Sequence, residues 1–155
     1  MNHVGFLNTF AGSLTSLGSG LYVYGNLELI SGMTLNASVG NIIFAATSGT
    51  KTITTNGKTL DFPITFNGIG GTWQLQDNLI SGSNRTCTLT NGTLDLNGKA
   101  LTVGIFSSNN SQTRTIAFGT GKIVCIGSNS AAANIATTTG LTFTGTPIFE
   151  LFAVG

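Results

Sequence analysis

The sequence predicts an all-β protein, a parallel β-helix (β-solenoid) with about 21–24 residues in each coil. First, helix-forming charged residues are scarce, since Asp, Glu, Lys and Arg together make up 7% of the chain. Second, Val, Ile, Thr and Phe alternate with small polar residues, which is typical of strands. Third, a short phrase repeats at a nearly constant interval, as repeat architectures require.

The repeated phrase has the form Gly-x-Leu/Trp-x-Leu. It occurs as GNLEL (residues 25–29), GTWQL (71–75) and GTLDL (92–96), and GTKTI (49–53) fits between the first two. A helical repeat would need about 33 residues and amphipathic helices. Short strands stacked in coils therefore fit the spacing better.

The same interval extends the repeat to residues 113–118 (TRTIAF), 134–138 (NIATT) and 147–152 (PIFELF), with weaker matches in the last two. Alternate side chains of a strand point to opposite faces. One apolar set is therefore predicted to fill the interior: Leu27, Leu29, Leu94, Leu96, Ile116 and Phe118. The intervening residues are predicted to face outwards: Glu28, Asp95, Thr115 and Ala117.

Asn-Gly pairs are predicted to form corners between strands, because both residue types tolerate a positive φ angle. The pairs begin at Asn56, Asn67, Asn91 and Asn97. An antiparallel hairpin stack or sandwich could use the same pairs as hairpin turns, and it is the structural alternative. The regular spacing favours the solenoid, since hairpins alone do not impose it.

Residues 1–19 are predicted to form an N-terminal connecting segment, and residues 20–155 the solenoid domain. The first twenty residues lack the basic stretch of a signal peptide. The last nine, PIFELFAVG, are apolar and contain no polar cap. Since an uncapped solenoid end exposes apolar side chains and strand edges, we expect the solenoid either to continue in a longer protein or to be covered in an assembly.

The composition also limits the expected partners. The formal net charge is +1, so neither nucleic acid nor anionic lipid is expected. No apolar run approaches about 18 residues, so no membrane span is expected. Cys87 and Cys125 lie in strand-like runs and are expected to be buried free thiols. A disulfide, which would require both side chains to meet within one layer, is the alternative.

The sequence predicts that the protein is not an enzyme, with no catalytic, cofactor-binding or metal-binding residue. Five carboxylates are present, whereas hydrolysis of a glycan needs two of them close together. Glu28 and Asp95 share a face of the predicted solenoid but lie about three coils, or ~14 Å, apart. His3 is the one histidine, which leaves little material for a metal site or a Ser-His-Asp triad.

Three residues are candidate surface contacts for a glycan. Trp73 could stack on a sugar ring, although core packing is favoured because it replaces an interior Leu of the repeat. Lys58 and Lys99 occupy matching corners and could face a polysaccharide, or they could be solvated lysines that protect strand edges. An ice-binding face is disfavoured, because GNLEL, GTWQL and GTLDL interrupt the Thr-rich runs.

Two runs of the chain resemble repetitive β-rich proteins of tailed bacteriophages, of the tail-fibre or virion-appendage type. They are residues 52–79 (TITTNGKTLDFPITFNGIGGTWQLQDNL) and 88–123 (TLTNGTLDLNGKALTVGIFSSNNSQTRTIAFGTGKI). The resemblance implies an extracellular protein on the virion surface that is often trimeric. It implies contacts with further copies, with other virion proteins and with host-surface polysaccharide. It supplies no catalytic residue.

We therefore expect a structural virion-surface protein, a tail fibre, appendage or decoration protein, that contributes to assembly and host attachment. The alternative is a self-assembling bacterial filament or a cell-surface adhesin. A glycan-degrading tailspike and an ice-binding protein are less favoured, because the chain offers neither an acidic cluster nor an unbroken Thr face.

Overall fold

The structure is a computed structural model that describes residues 4–5, 13–14, 20–36, 40–128 and 132–152. These residues form 17 strands joined by turns, and none of them lies in a helix. The strands are β1 (Val4–Gly5), β2 (Ser13–Leu14), β3 (Leu21–Val23), β4 (Leu27–Glu28), β5 (Thr34–Leu35), β6 (Ile42–Phe44), β7 (Thr50–Thr54), β8 (Ile64–Leu75), β9 (Leu79–Ile80), β10 (Thr86–Asp95), β11 (Ala100–Val103), β12 (Ile105–Ser107), β13 (Arg114–Gly119), β14 (Lys122–Cys125), β15 (Ala133–Asn134), β16 (Leu141–Gly145) and β17 (Phe149–Leu151).

The strands stack into three faces, named here by their order within a coil. The first face contains β3, β6, the start of β8, the start of β10, β12 and β15. The second face contains β1, β4, β7, the end of β8, the end of β10, β13 and β16. The third face contains β2 with β5 and, further along, β9, β11, β14 and β17.

Six coils result, and they are numbered here from the one that begins at β3 to the one that begins at β15. Every pair of strands in the described ranges is parallel. The predicted parallel β-helix is therefore confirmed, and the antiparallel hairpin stack is wrong, because each strand pairs with the equivalent strand of the next coil and not with its sequence neighbour.

The register confirms the repeat in the middle of the chain. Thr50 pairs with Thr72, and Thr72 pairs with Thr93, so the phrases GTKTI, GTWQL and GTLDL lie directly above one another. The phrase GNLEL belongs to the same face, but Leu27 pairs with Ile53, two residues away from the predicted register. The reason is the longer corner between the first two faces of coil 2, since Ile53 lies 9 residues after Phe44, whereas Leu27 lies 4 residues after Val23.

The last two coils depart further from a constant spacing. Cys87 pairs with Phe106, 19 residues later, whereas Phe106 pairs with Ala133, 27 residues later. Because of this longer coil, the second face continues at β16 and not in residues 134–138, as the interval predicted. Residues 147–152 likewise contribute to the third face, through β17.

The interior is filled by apolar side chains, as the alternation predicted. All six predicted interior residues are at most 1% exposed: Leu27, Leu29, Leu94, Leu96, Ile116 and Phe118. Aromatic rings stack along the rod axis, with the ring centroids of Phe44 and Phe66 4.9 Å apart. Full burial of side chains of this size is worth roughly 1.5–3 kcal/mol each, so each coil is held mainly by its contribution to this shared interior.

The Asn-Gly corners are confirmed at three of the four predicted places, and one of them is Asn91–Gly92, where Gly92 has a φ angle of 81° between the first and second faces. Asn56 and Asn97 have φ angles of 50° and 48°, and the glycines that follow them also have positive φ angles. Each of the two Asn side chains donates a hydrogen bond to a main-chain carbonyl of the preceding coil. At Asn67–Gly68 the prediction is wrong, since Gly70 takes the positive φ instead.

Part of the predicted connecting segment, residues 1–19, lies outside the described residues. Within it, β1 pairs with β4 and β2 pairs with β5, both in parallel. The backbone of these two short strands therefore stacks on the first coil.

Candidate functional site

Trp73 lies in the interior and not on the surface. Its exposure is 0%, and its ring packs 5.5 Å from that of Phe66 and 6.4 Å from that of Phe44. The alternative in which Trp73 stacks on a sugar is therefore wrong, because strand alternation at the end of β8 turns this side chain inwards. Its indole Nε1 is buried and has no hydrogen-bond partner in the described structure.

Lys58 and Lys99 lie in equivalent corners two coils apart, as predicted. Each follows an Asn-Gly pair, and the backbone N–H of each donates to a carbonyl three residues earlier. Both side chains are half-buried. These corners place the two lysines on the same edge of the rod.

Four of the five carboxylates have identifiable structural partners. Asp61 pairs with Arg85 and Glu150 pairs with Lys122, at 2.8 and 2.9 Å. Asp77 accepts hydrogen bonds from the backbone N–H and the hydroxyl of Thr55. Asp95 accepts hydrogen bonds from the side-chain amide of Gln74 and from the backbone N–H of Asn97.

Glu28 is exposed on the second face of coil 1, three coils away from Asp95. Within the described ranges no group of three or more His, Cys, Asp or Glu side chains could hold a metal ion. His3, the remaining candidate ligand, lies outside the described residues. The arrangement of the described carboxylates thus serves hydrogen bonding between coils.

Cys87 and Cys125 are both buried free thiols, which confirms the prediction. Burial raises the pKa of Cys87 far above its usual value, and the nearby Cys125 thiol adds to the effect. Burial also raises the pKa of Cys125, although a hydrogen bond with the backbone of Phe106 opposes the shift. Because the thiolate is the reactive form, both cysteines are held in their unreactive state.

Arg114 is a buried cation that sequence analysis did not find. It is 1% exposed, and its Nε donates to the Ser108 hydroxyl at 2.6 Å. One terminal nitrogen donates to the carbonyls of Gln112 and Thr139, and the other donates to the carbonyls of Ser108 and Thr137. All five N–H groups of the guanidinium therefore have an acceptor, and none of these acceptors is a carboxylate.

This hydrogen-bonded cluster joins the last two coils. Ser108 and Gln112 belong to coil 5, whereas Thr137 and Thr139 belong to coil 6. Burial lowers the pKa of Arg114, but an arginine side chain remains charged in proteins. The role of Arg114 is thus to position the two long loops that precede β13 and β16.

The edge of coil 6 exposes apolar side chains. Leu151 and Phe152 are 59% and 55% exposed, and Phe143 and Ile148 are also exposed. Phe143 pairs with Ile116, which lies in the interior of coil 5. The interior of the rod therefore reaches the surface at this edge, named here the terminal edge.

A cleft lies at the corner between the first and second faces of coils 1 and 2. It has a volume of about 110 Å³ and is lined by Tyr24, Ala46, Thr47, Ser48 and Lys51. It thus contains an aromatic ring, two hydroxyl groups and an amine. Sequence analysis did not single out these residues.

Comparisons with protein-family models, curated proteins and solved structures give no match to this chain. The residues that the structure describes also include no helix that could span a membrane.

Proposed function

We propose that this protein is a non-enzymatic structural component of a phage virion, a rigid appendage or decoration protein that assembles with further copies and holds the particle to a host surface. The observation that carries the proposal is the terminal edge, where large apolar side chains of the last described coil are exposed. Contiguous exposed apolar surface is a mark of protein–protein contact.

The shape of the molecule supports a role in display. Each coil is paired to the next along all three faces in coils 3 to 6, and the shared interior runs through them. A rod of this kind holds a binding surface at a fixed distance and in a fixed orientation. Several copies can then offset weak single-site binding through avidity of about 10²–10⁴.

The carboxylates support the non-enzymatic part of the proposal. A paired-carboxylate mechanism needs one acid whose pKa is raised and a second carboxylate within about 10 Å. Asp77 and Asp95 instead accept hydrogen bonds from neighbouring coils. We expect no release of reducing ends from polysaccharides, and activity that disappears in Asp77→Asn or Asp95→Asn would contradict this.

The mass of the particle in solution tests the assembly. The phage resemblance implies three chains, so we expect analytical ultracentrifugation of the full chain to give a homotrimer. The double variant Leu151→Ser/Phe152→Ser removes exposed apolar side chains without opening the interior, and it should shift the equilibrium towards single chains. Ile69→Ser is the matched control, because Ile69 is 72% exposed but lies on the flank of coil 3.

Three results would contradict the proposal. If only single chains are found at all accessible concentrations, the protein does not assemble with itself. If the trimer is unaffected by the double variant, the terminal edge is not the contact between the chains. Masses that grow without limit as the concentration rises would favour the alternative, a self-assembling filament, since head-to-tail contacts that do not close produce open arrays.

A further inference from the structure

Lys51 occupies a position that other coils fill with an apolar side chain. In the second face it pairs with Trp73, which pairs in turn with Leu94. The column then continues through Ile116 to Phe143. Lys51 is two residues before Ile53, which is fully buried, so strand alternation places both on the interior side of β7.

Trp73, the partner of Lys51 in the next coil, instead packs its ring against Phe44 of coil 2, with the centroids 6.4 Å apart. The stem of a lysine can lie along apolar surface while its amine reaches water. The Lys51 Nζ comes to lie above Gly49, 3.9 Å from where a Cβ of that residue would be. The side chain thus leaves the interior at the corner, and the cleft of about 110 Å³ opens there.

The wall of the cleft from coil 2 is held rigidly by glycines of coil 3. A Cβ at Gly68 or Gly71 would lie 2.0 Å from the carbonyl oxygen of Ala46. A Cβ at Gly70 would lie 2.9 Å from the carbonyl oxygen of Thr47. The turn that presents Thr47 and Ser48 is therefore seated directly on the backbone of the next coil, and the hydroxyl groups have a fixed platform.

The wall from coil 1 is aromatic. Tyr22 and Tyr24 both point outwards from β3 and the turn after it, and each is about half exposed, at 53% and 51%. Their rings are nearly parallel, with an interplanar angle of 15° and centroids 6.4 Å apart. Together they form a flat apolar surface that leads into the cleft.

We propose that this cleft binds one unit of an acidic saccharide. The apolar C–H face of the sugar ring stacks on Tyr24, its hydroxyl groups bond to Thr47 and Ser48, and its carboxylate pairs with the Lys51 amine. Lys51 is available for this, because it takes part in neither of the two ion pairs of the described residues. The volume is below the roughly 300–1,000 Å³ of pockets that enclose drug-sized ligands, which suits one unit of an exposed chain.

This inference rests on the proposed attachment function and names the class of its ligand. The probe is trigalacturonic acid, and its methyl ester is the matched neutral compound, with the same rings and no charge. Binding to the full chain is followed by NMR chemical-shift titration. We expect the acid to bind about tenfold or more tightly than the ester, as the loss of a charge-assisted hydrogen bond implies.

Two variants assign the contacts. Lys51→Met keeps the stem and should lower affinity for the acid about tenfold or more, with little effect on the ester. Tyr24→Ala should lower the affinity for both compounds roughly fivefold, whereas Tyr24→Phe keeps the ring and should bind both like the wild type. Lys122→Met is the matched control, because it removes the same charge from coil 5, where Lys122 pairs with Glu150, and it should leave affinity unchanged.

Equal affinity for acid and ester would overturn the proposal, as would Lys51→Met binding like the wild type. Absence of binding by trigalacturonic acid and by sialyllactose, a second acidic probe, would also overturn it. Centrifugation of the same samples separates this failure from that of the proposed function. If the protein is a trimer but binds no saccharide, only the proposed binding by the cleft is contradicted. If single chains bind the saccharide, only the proposed assembly is contradicted.

Discussion

Replacement of the buried arginine, Arg114→Met, should destabilise the end of the rod more than its middle. Two of the five hydrogen bonds of Arg114 are fully buried, and both end on Ser108. A hydrogen bond to a charged group contributes about 1.5–3 kcal/mol, so these two account for about 3–6 kcal/mol. The other three are partly buried, and water can replace much of their contribution.

The measurements are urea unfolding and hydrogen exchange. The free energy of unfolding should fall by about 3–6 kcal/mol. Because coils contact only their neighbours, stability is roughly a sum of local terms. Amide protection should therefore fall in residues 132–145 and remain unchanged in coils 2 and 3.

The control is Arg85→Met, which also removes a guanidinium. Arg85 pairs with Asp61 at a partly exposed site, with side-chain exposures of 23% and 34%, where an ion pair is worth about 0–1 kcal/mol. If Arg114→Met lowers the free energy of unfolding no more than Arg85→Met does, the cluster around Arg114 does not stabilise the last coil. Equal loss of amide protection in all coils would refute the local character of its effect.

Two further predictions concern the glycines and the thiols. Gly68→Ala should lower the free energy of unfolding by about 1–3 kcal/mol, because its Cβ would overlap a carbonyl oxygen. Gly57→Ala, with open space around it, should cost only the left-handed strain of about 1 kcal/mol; equal thermal shifts of the two would contradict this. Burial raises the pKa of both thiols, so the folded chain keeps protons that the unfolded chain loses above about pH 8.5. Unfolding free energy should therefore fall as the pH rises beyond that value, and the fall should be shallower in Cys87→Ala/Cys125→Ala; identical slopes in urea titrations would refute the linkage.

The fold could be predicted because its signals are repeated. The phrases GTKTI, GTWQL and GTLDL fix the register of three coils, and Asn56 and Asn97 form the predicted corners with positive φ angles. The register at Leu27 could not be predicted, since the extra residues in the corner between Phe44 and Ile53 leave no mark in a local phrase. The long loops of the last coils are likewise set by tertiary contacts with Arg114.

The sequence does contain a signal for the cleft. Lys51 aligns with Trp73 and Leu94 in the repeat, so a charged residue occurs where an apolar one belongs. Exceptions of this kind tend to mark functional or strained sites. By contrast, the burial of Arg114 has no counterpart in the sequence, because its acceptors are mostly main-chain carbonyls that any residue supplies.

The parallel stacking of strands has a mechanical consequence. Hydrogen bonds between coils run along the rod axis, so a pull at the terminal edge loads the bonds of one coil at a time. Such a rod resists bending but peels under axial tension, in steps of one coil. The cluster around Arg114 joins coils 5 and 6, so it adds to the force needed to separate these two coils.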